Sequence, residues 1–224
     1  MSTAFFSATR NKITDTLYYK SITKIAEKDS NITPFFESYN KSGLSKCYNT
    51  FLEKQINNFE YIVFCHDDIT IDDYNITNKL ELYHKQFDII GLAGGINPII
   101  RQPALWHLMC GGFSNGNLRG AVAHYIDDQT FHVTSFGPTP SRVAVLDGLF
   151  LSLKTESIKA AGWKFNENYT FHHYDIASCI DANKLKLKLG VAPIWVIHKS
   201  PGLMNVNDTV FTQSQIKFLR EYSS

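Results

Sequence analysis

The chain has 224 residues, enough for one sizeable core, and its 44% hydrophobic and 19% charged content is that of a globular protein, which excludes a disordered chain. A net charge of +1 supplies no field that would select nucleic acid or an anionic membrane surface. No apolar run approaches the ~20 residues of a membrane span, Met1–Phe6 is too short and too little apolar for a secretory signal, and the four cysteines form no CxxC pair, so a cytoplasmic protein with reduced thiols is expected. Peripheral contact with a membrane is left open by these observations.

Taken in order, Thr3 to Thr9 predicts a first strand, followed at once by Arg10. Asp15 to Lys28 sets Leu17, Ile22 and Ile25 at helical spacing. Ile32 to Tyr39 is a second strand, which Pro34 confines to a sheet edge or to the strand's beginning. Asn40 to Leu44 is a turn, and Ser45 is placed to cap a helix through Cys47, Tyr48, Phe51, Leu52 and Ile56. Tyr61 to Cys65 is an unbroken apolar run, as in a strand covered on both faces. Strand and helix alternate up to this point, the signature of a parallel-sheet α/β domain.

Asn78 to Gln86 reads as a helix and Phe87 to Ala93 as another buried strand, ending in Gly94-Gly95. Residues 96–120 lose periodicity among Pro98, Pro103 and four glycines, and a long loop rich in aromatics is expected to be functional, a candidate lid over a bound donor. A hairpin turning at Asp127-Asp128 spans Ala121 to Thr134. Val143 to Leu153 is strongly apolar around Asp147-Gly148, and a helix from Lys154 stops at Gly162. Phe171-His172-His173-Tyr174-Asp175 leads into a helix from Ile176 to Leu185. A last core strand from Val191 to His198 is broken by Pro201-Gly202, and a C-terminal helix covers Gln213 to Tyr222.

The Tyr61 strand stops at His66-Asp67-Asp68. In open α/β sheets ligands gather at the carboxyl ends of strands, so two carboxylates there can hold a hard cation, although an Asp-rich turn reads the same way.

The run Asn40-x-x-Gly43-Leu44-Ser45-Lys46-x-Tyr48-Asn49, the segment Tyr61 to Ile69, the run Val145 to Phe150, the segment Phe171 to Ile176 and His198 stand in an order that resembles glycosyltransferases of the GT-A fold. The resemblance is to a small, family-2-like branch with a His-Asp-Asp metal motif. It implies a single domain over 1–224, with a nucleotide-binding half at 1–95 and an acceptor-binding, catalytic half at 96–224. It implies a Rossmann-like, mostly parallel central sheet flanked by helices. The implied activity is a metal-dependent, inverting transfer of a hexose from a nucleotide-diphosphate sugar, UDP above all, to a hydroxyl of a glycan or glycolipid.

On the same resemblance Asp68 is the principal carboxylate ligand of Mn²⁺ or Mg²⁺ and His198 a further ligand, while Asp67 orients the ion's waters or touches the donor's ribose. Thr9, Arg10, Asn40 and Asn49 fall where such enzymes read the nucleotide. Asp175 is the candidate general base for the acceptor hydroxyl, with helix N-capping as its rival role. Asp147, Gly148, His172, His173 and Trp106 are expected around donor or acceptor sugar, with Trp163 and Tyr169 nearby, since aromatic faces stack on sugar rings. Many family-2 enzymes carry Glu-Asp where this chain has Tyr174-Asp175, which loosens the inference of inversion. Two other functions fit the same residues: hydrolysis of nucleotide sugars or phosphoesters, and non-catalytic carbohydrate or nucleotide binding.

Overall fold

The computed structural model describes residues 2–199 and 208–223, and the expected break at Pro201-Gly202 lies outside them. Strands β1 (Thr3–Ala8), β2 (Ile32–Glu37) and β3 (Tyr61–Cys65) alternate with helices α1 (Leu17–Ala26) and α2 (Leu44–Gln55) as expected. They are followed by β4 (Ile69–Ile71), α3 (Ile76–Tyr83), β5 (Ile89–Gly91) and β6 (Ala93–Gly95). The aperiodic segment contains a short helix, α4 (Trp106–Met109), and a 3-10 turn at Phe113–Asn115 before the hairpin of β7 (Leu118–Tyr125) and β8 (Phe131–Gly137). The apolar stretch after it divides into β9 (Ser141–Val143), β10 (Val145–Leu146) and β11 (Phe150–Lys154). The chain continues through α5 (Thr155–Ala161), α6 (Tyr174–Lys184), β12 (Leu189–Val191), β13 (Val196–His198) and α7 (Thr209–Tyr222).

The strands form two sheets, one ordered β2-β1-β3-β11-β5-β12-β9 and one ordered β10-β6-β7-β13-β4 with β8 on β7. β2, with its Pro34, is the edge of the first sheet, where a missing N–H costs no ladder bond. The larger sheet is mixed rather than mostly parallel: β11 runs antiparallel to both β3 and β5, and β9 antiparallel to β12. β11 follows β10, a strand of the other sheet, after the short step at 147–149. Strands from both halves of the sequence interleave in this one sheet and share one core.

Four times the chain steps from the first sheet into the second: between β3 and β4, β5 and β6, β9 and β10, and β12 and β13. Two segments expected as single strands, Phe87 to Ala93 and Val191 to His198, are each cut by such a step, at Leu92 and at 192–195. Both halves of each are buried, so the apolar pattern carries no mark of the change of sheet.

Local chemistry sets the helix ends. Thr16 Oγ1 accepts the Tyr19 N–H at the start of α1, and Asp208 accepts the Phe211 N–H at the start of α7. Ser45 does not cap α2; its hydroxyl donates to the Tyr169 carbonyl, and Gly43 is the capping residue at φ +82°. A side chain on Gly43 would lie 2.7 Å from Thr170 Cβ, so glycine alone lets the turn close on the 169–170 segment. Gly162, left-handed, ends α5 as expected.

Candidate active site

The step from β3 to β4 is residues 66–68, so His66-Asp67-Asp68 sits on the seam between the sheets. β13 brings the late histidine there, because it pairs antiparallel with β4 and sets His198 opposite Ile69. The Lys199 N–H donates to the Asp68 carbonyl at 2.8 Å and ties the two segments together. His198 Nε2 lies 3.3 Å from Asp68 Oδ2. One ligand atom from each of His66, Asp68 and His198 lies within 4.8 Å of the other two.

This donor set fits a divalent cation. Asp68 Oδ1 is buried and has no hydrogen-bond partner, an unmet acceptor that a cation would satisfy. Burial works to raise the Asp68 pKa, but the hydrogen bond and charge of His198 outweigh it and hold the carboxyl below its ordinary value. Burial likewise works against the His198 imidazolium, and Asp68 reverses it, so His198 titrates above its ordinary value. Burial lowers His66, which favours the neutral imidazole that a metal requires. His66, part of the His-Asp-Asp motif, is the member of this cluster that sequence reasoning did not single out as a candidate ligand. The available signal was its place, the first residue past the end of β3 and directly before Asp67-Asp68.

The turn from β10 back to β11 lies beside this cluster, since the His66 N–H donates to the Leu149 carbonyl at 3.0 Å. Asp147 is fully engaged: Oδ2 accepts the Trp106 indole N–H at 2.8 Å and Oδ1 accepts the Leu149 N–H at 3.0 Å. Asp175, second residue of α6, is not its cap, which is His173 at φ +65°. The Asp175 carboxylate accepts the Gly148 N–H at 3.1 Å on Oδ2 and the Ile176 N–H at 2.9 Å on Oδ1. Burial, and then the charge of Asp147, push Asp175 up to about 7 against the pull of these bonds. Gly148 has to be glycine, because a Cβ there would lie 2.4 Å from the Tyr174 hydroxyl oxygen and 2.9 Å from Asp175 Cβ.

The remaining expected residues divide. Thr9 is buried at the end of β1, its carbonyl accepting the Asn40 N–H, while exposed Arg10 lies 5.7 Å over the Phe171 ring. Asn40 closes its own turn through Gly43 and Ser42. Asp67 remains partly exposed, and its carbonyl accepts the Tyr18 N–H. Asn49 is buried and bonds both the N–H and the carbonyl of Phe165, so its amide is committed to joining α2 to that segment rather than free for a nucleotide. His173 is packed under α7 against Phe211 and Phe218 with Nδ1 on Ser214, while His172 stays half-buried near Arg10 and Asp208. Trp163 and Tyr169 are core residues, and Trp106 is buried with its ring edge-on to Phe136. Exposed aromatic faces here include Phe113, 65% exposed and stacked on Phe136, and Phe171, 42% exposed and stacked against His66.

A family model described as "Glycosyltransferase like family" matches residues 16–222. The chain belongs to this glycosyltransferase-like family. No curated protein matches the sequence. Among solved structures, GalNAc-T7 with UDP, GalNAc and Mn²⁺ aligns with a TM-score of 0.53 at 10% identity, over 98% of this chain and 48% of that one. A197 from STIV aligns at 0.52 and 9% identity, over 93% of this chain and all of the other, 100%. S. aureus TarS 1-349 with UDP-GlcNAc aligns at 0.50 and 12% identity, over 98% and 67%. The chain thus spans about half of GalNAc-T7 and two thirds of that TarS fragment. The α/β architecture with its helix-flanked central sheet is the GT-A glycosyltransferase fold. Among the described residues no helix is long and apolar enough to cross a membrane.

Proposed function

We propose that this family member is a metal-dependent glycosyltransferase that moves a sugar from a nucleoside-diphosphate donor to a hydroxyl of a glycan or glycolipid, with inversion. The observation that carries the reading is the convergence of His66, Asp68 and His198 on the sheet seam, next to a turn whose Gly148 holds Asp175. UDP is the favoured nucleotide and Mn²⁺ the favoured ion, since GalNAc-T7 aligns as a complex with UDP and Mn²⁺, and two imidazoles with one carboxylate suit Mn²⁺ better than Mg²⁺.

Bound between these three side chains, a divalent cation would neutralise the charge that develops on the departing diphosphate. The chain's own residues do the rest. His66, Asp68 and His198 form the ion's seat, and Asp67 and Arg10 flank the path of the nucleotide. Asp175 takes the proton of the attacking hydroxyl as the bond to the anomeric carbon forms. A carboxylate pushed up to about 7 is a stronger base than a free one and is still ionised in good part at neutral pH. Asp147 keeps the indole of Trp106 in place and, by its charge, keeps Asp175 basic.

The test is release of nucleotide from a panel of nucleotide sugars with Mn²⁺, with and without saccharide and glycolipid acceptors. Release stimulated by an acceptor is the expected result. Turnover independent of acceptor would replace transfer with hydrolysis, and binding without release would leave a carbohydrate- or nucleotide-binding module.

A further inference from the structure

Tyr174 is 2% exposed, and its hydroxyl touches both parts of the site. It lies 2.7 Å from the Gly148 carbonyl, which can only accept, so the phenolic proton is committed there. His66 Nε2 lies 3.0 Å from the same phenolic oxygen. With that proton already spent, Nε2 must carry a hydrogen and donate it, which leaves Nδ1 as the lone-pair nitrogen of His66. On its other side Gly148 gives its N–H to Asp175 Oδ2. A single line of hydrogen bonds therefore runs from His66 through Tyr174 and Gly148 to Asp175. The Tyr174 ring is held independently of its hydroxyl, edge-on to Tyr48 and tilted against Phe165.

We propose that Tyr174 is a positioning residue: its buried hydroxyl fixes the tautomer and orientation in which His66 meets the cation and, through Gly148, sets the Asp175 carboxylate in register with it. The inference rests on the reading of His66, Asp68 and His198 as a cation site. A partner that locks the far nitrogen of a ligating histidine is typically worth about 10- to 100-fold in metal affinity. The phenol also has the Tyr48 side chain as a polar neighbour, while the packing of the ring itself is served equally by phenylalanine.

The experiment measures Mn²⁺ alone, by electron paramagnetic resonance of the free ion, against the whole chain without nucleotide or acceptor. Tyr174→Phe is expected to weaken Mn²⁺ binding about 10- to 100-fold. Tyr222→Phe removes a phenol of α7 that donates to Asp181 of α6, and is expected to leave the affinity unchanged. Asp68→Ala is expected to abolish binding. Parental affinity in Tyr174→Phe together with loss in Asp68→Ala would overturn the role of Tyr174 and leave the cation site standing, whereas no Mn²⁺ binding by the parent would overturn both. Nitrogen-15 spectra of the ion-free parent read the tautomer without any substitution: His66 protonated on Nε2 is expected, and protonation on Nδ1 would overturn the proposal.

Discussion

Asp175 shows how far environment decides what a carboxylate does. In a free chain it titrates near 3.8; here burial and Asp147 push it up to about 7, although two N–H groups favour the ionised form. If it is the base, it must be ionised to work. The rate of transfer at saturating Mn²⁺ should therefore fall as pH drops below about 7 and level off above it. Asp175→Asn should fold, lose about 10²–10⁴ in rate and lose that acid limb, measured by initial rates across pH together with a thermal melt. Parental turnover in the variant would remove Asp175 from the mechanism. Single residues were only partly legible in the sequence. Asp68 and His198 meet as the motif order implied, but His66 seemed one histidine beside two acids until the chain geometry set it on their side. Asn49 was unreadable as a core residue, because an amide on a helix carries no mark of a partner more than a hundred residues away.

At the scale of elements, the joints between segments matter more than the segments. The existence and order of β1 to β3, of the 118–137 hairpin and of α5 to α7 follow from periodicity and end signals. The passage of strands between two sheets does not, since Leu92 and the 192–195 step interrupt runs that are apolar on both sides. Those steps create the seam on which His66, Asp68 and His198 meet. Asn49 is a joint of another kind, fastening α2 to the chain ahead of α6 through both polar atoms of Phe165. Asn49→Ala leaves a buried N–H and a buried carbonyl unmet, so a loss of about 1–3 kcal/mol per stranded group is expected in a denaturant melt, with Mn²⁺ affinity unchanged. A variant of parental stability would contradict this structural role, and a selective loss of nucleotide binding would return Asn49 to the site.

For the whole molecule, two mixed sheets around one core make a frame in which distant parts of the sequence can be held to within a few ångströms. A net charge near neutrality gives the molecule no strong long-range field for recognition. The central claim is that the seam holds a divalent ion where a diphosphate leaves. Crystals soaked with Mn²⁺ and UDP, recorded at the manganese absorption edge, test it directly. The account predicts one anomalous peak bounded by His66, Asp68 and His198 with the diphosphate against it; a peak elsewhere, or none with UDP bound, would contradict it.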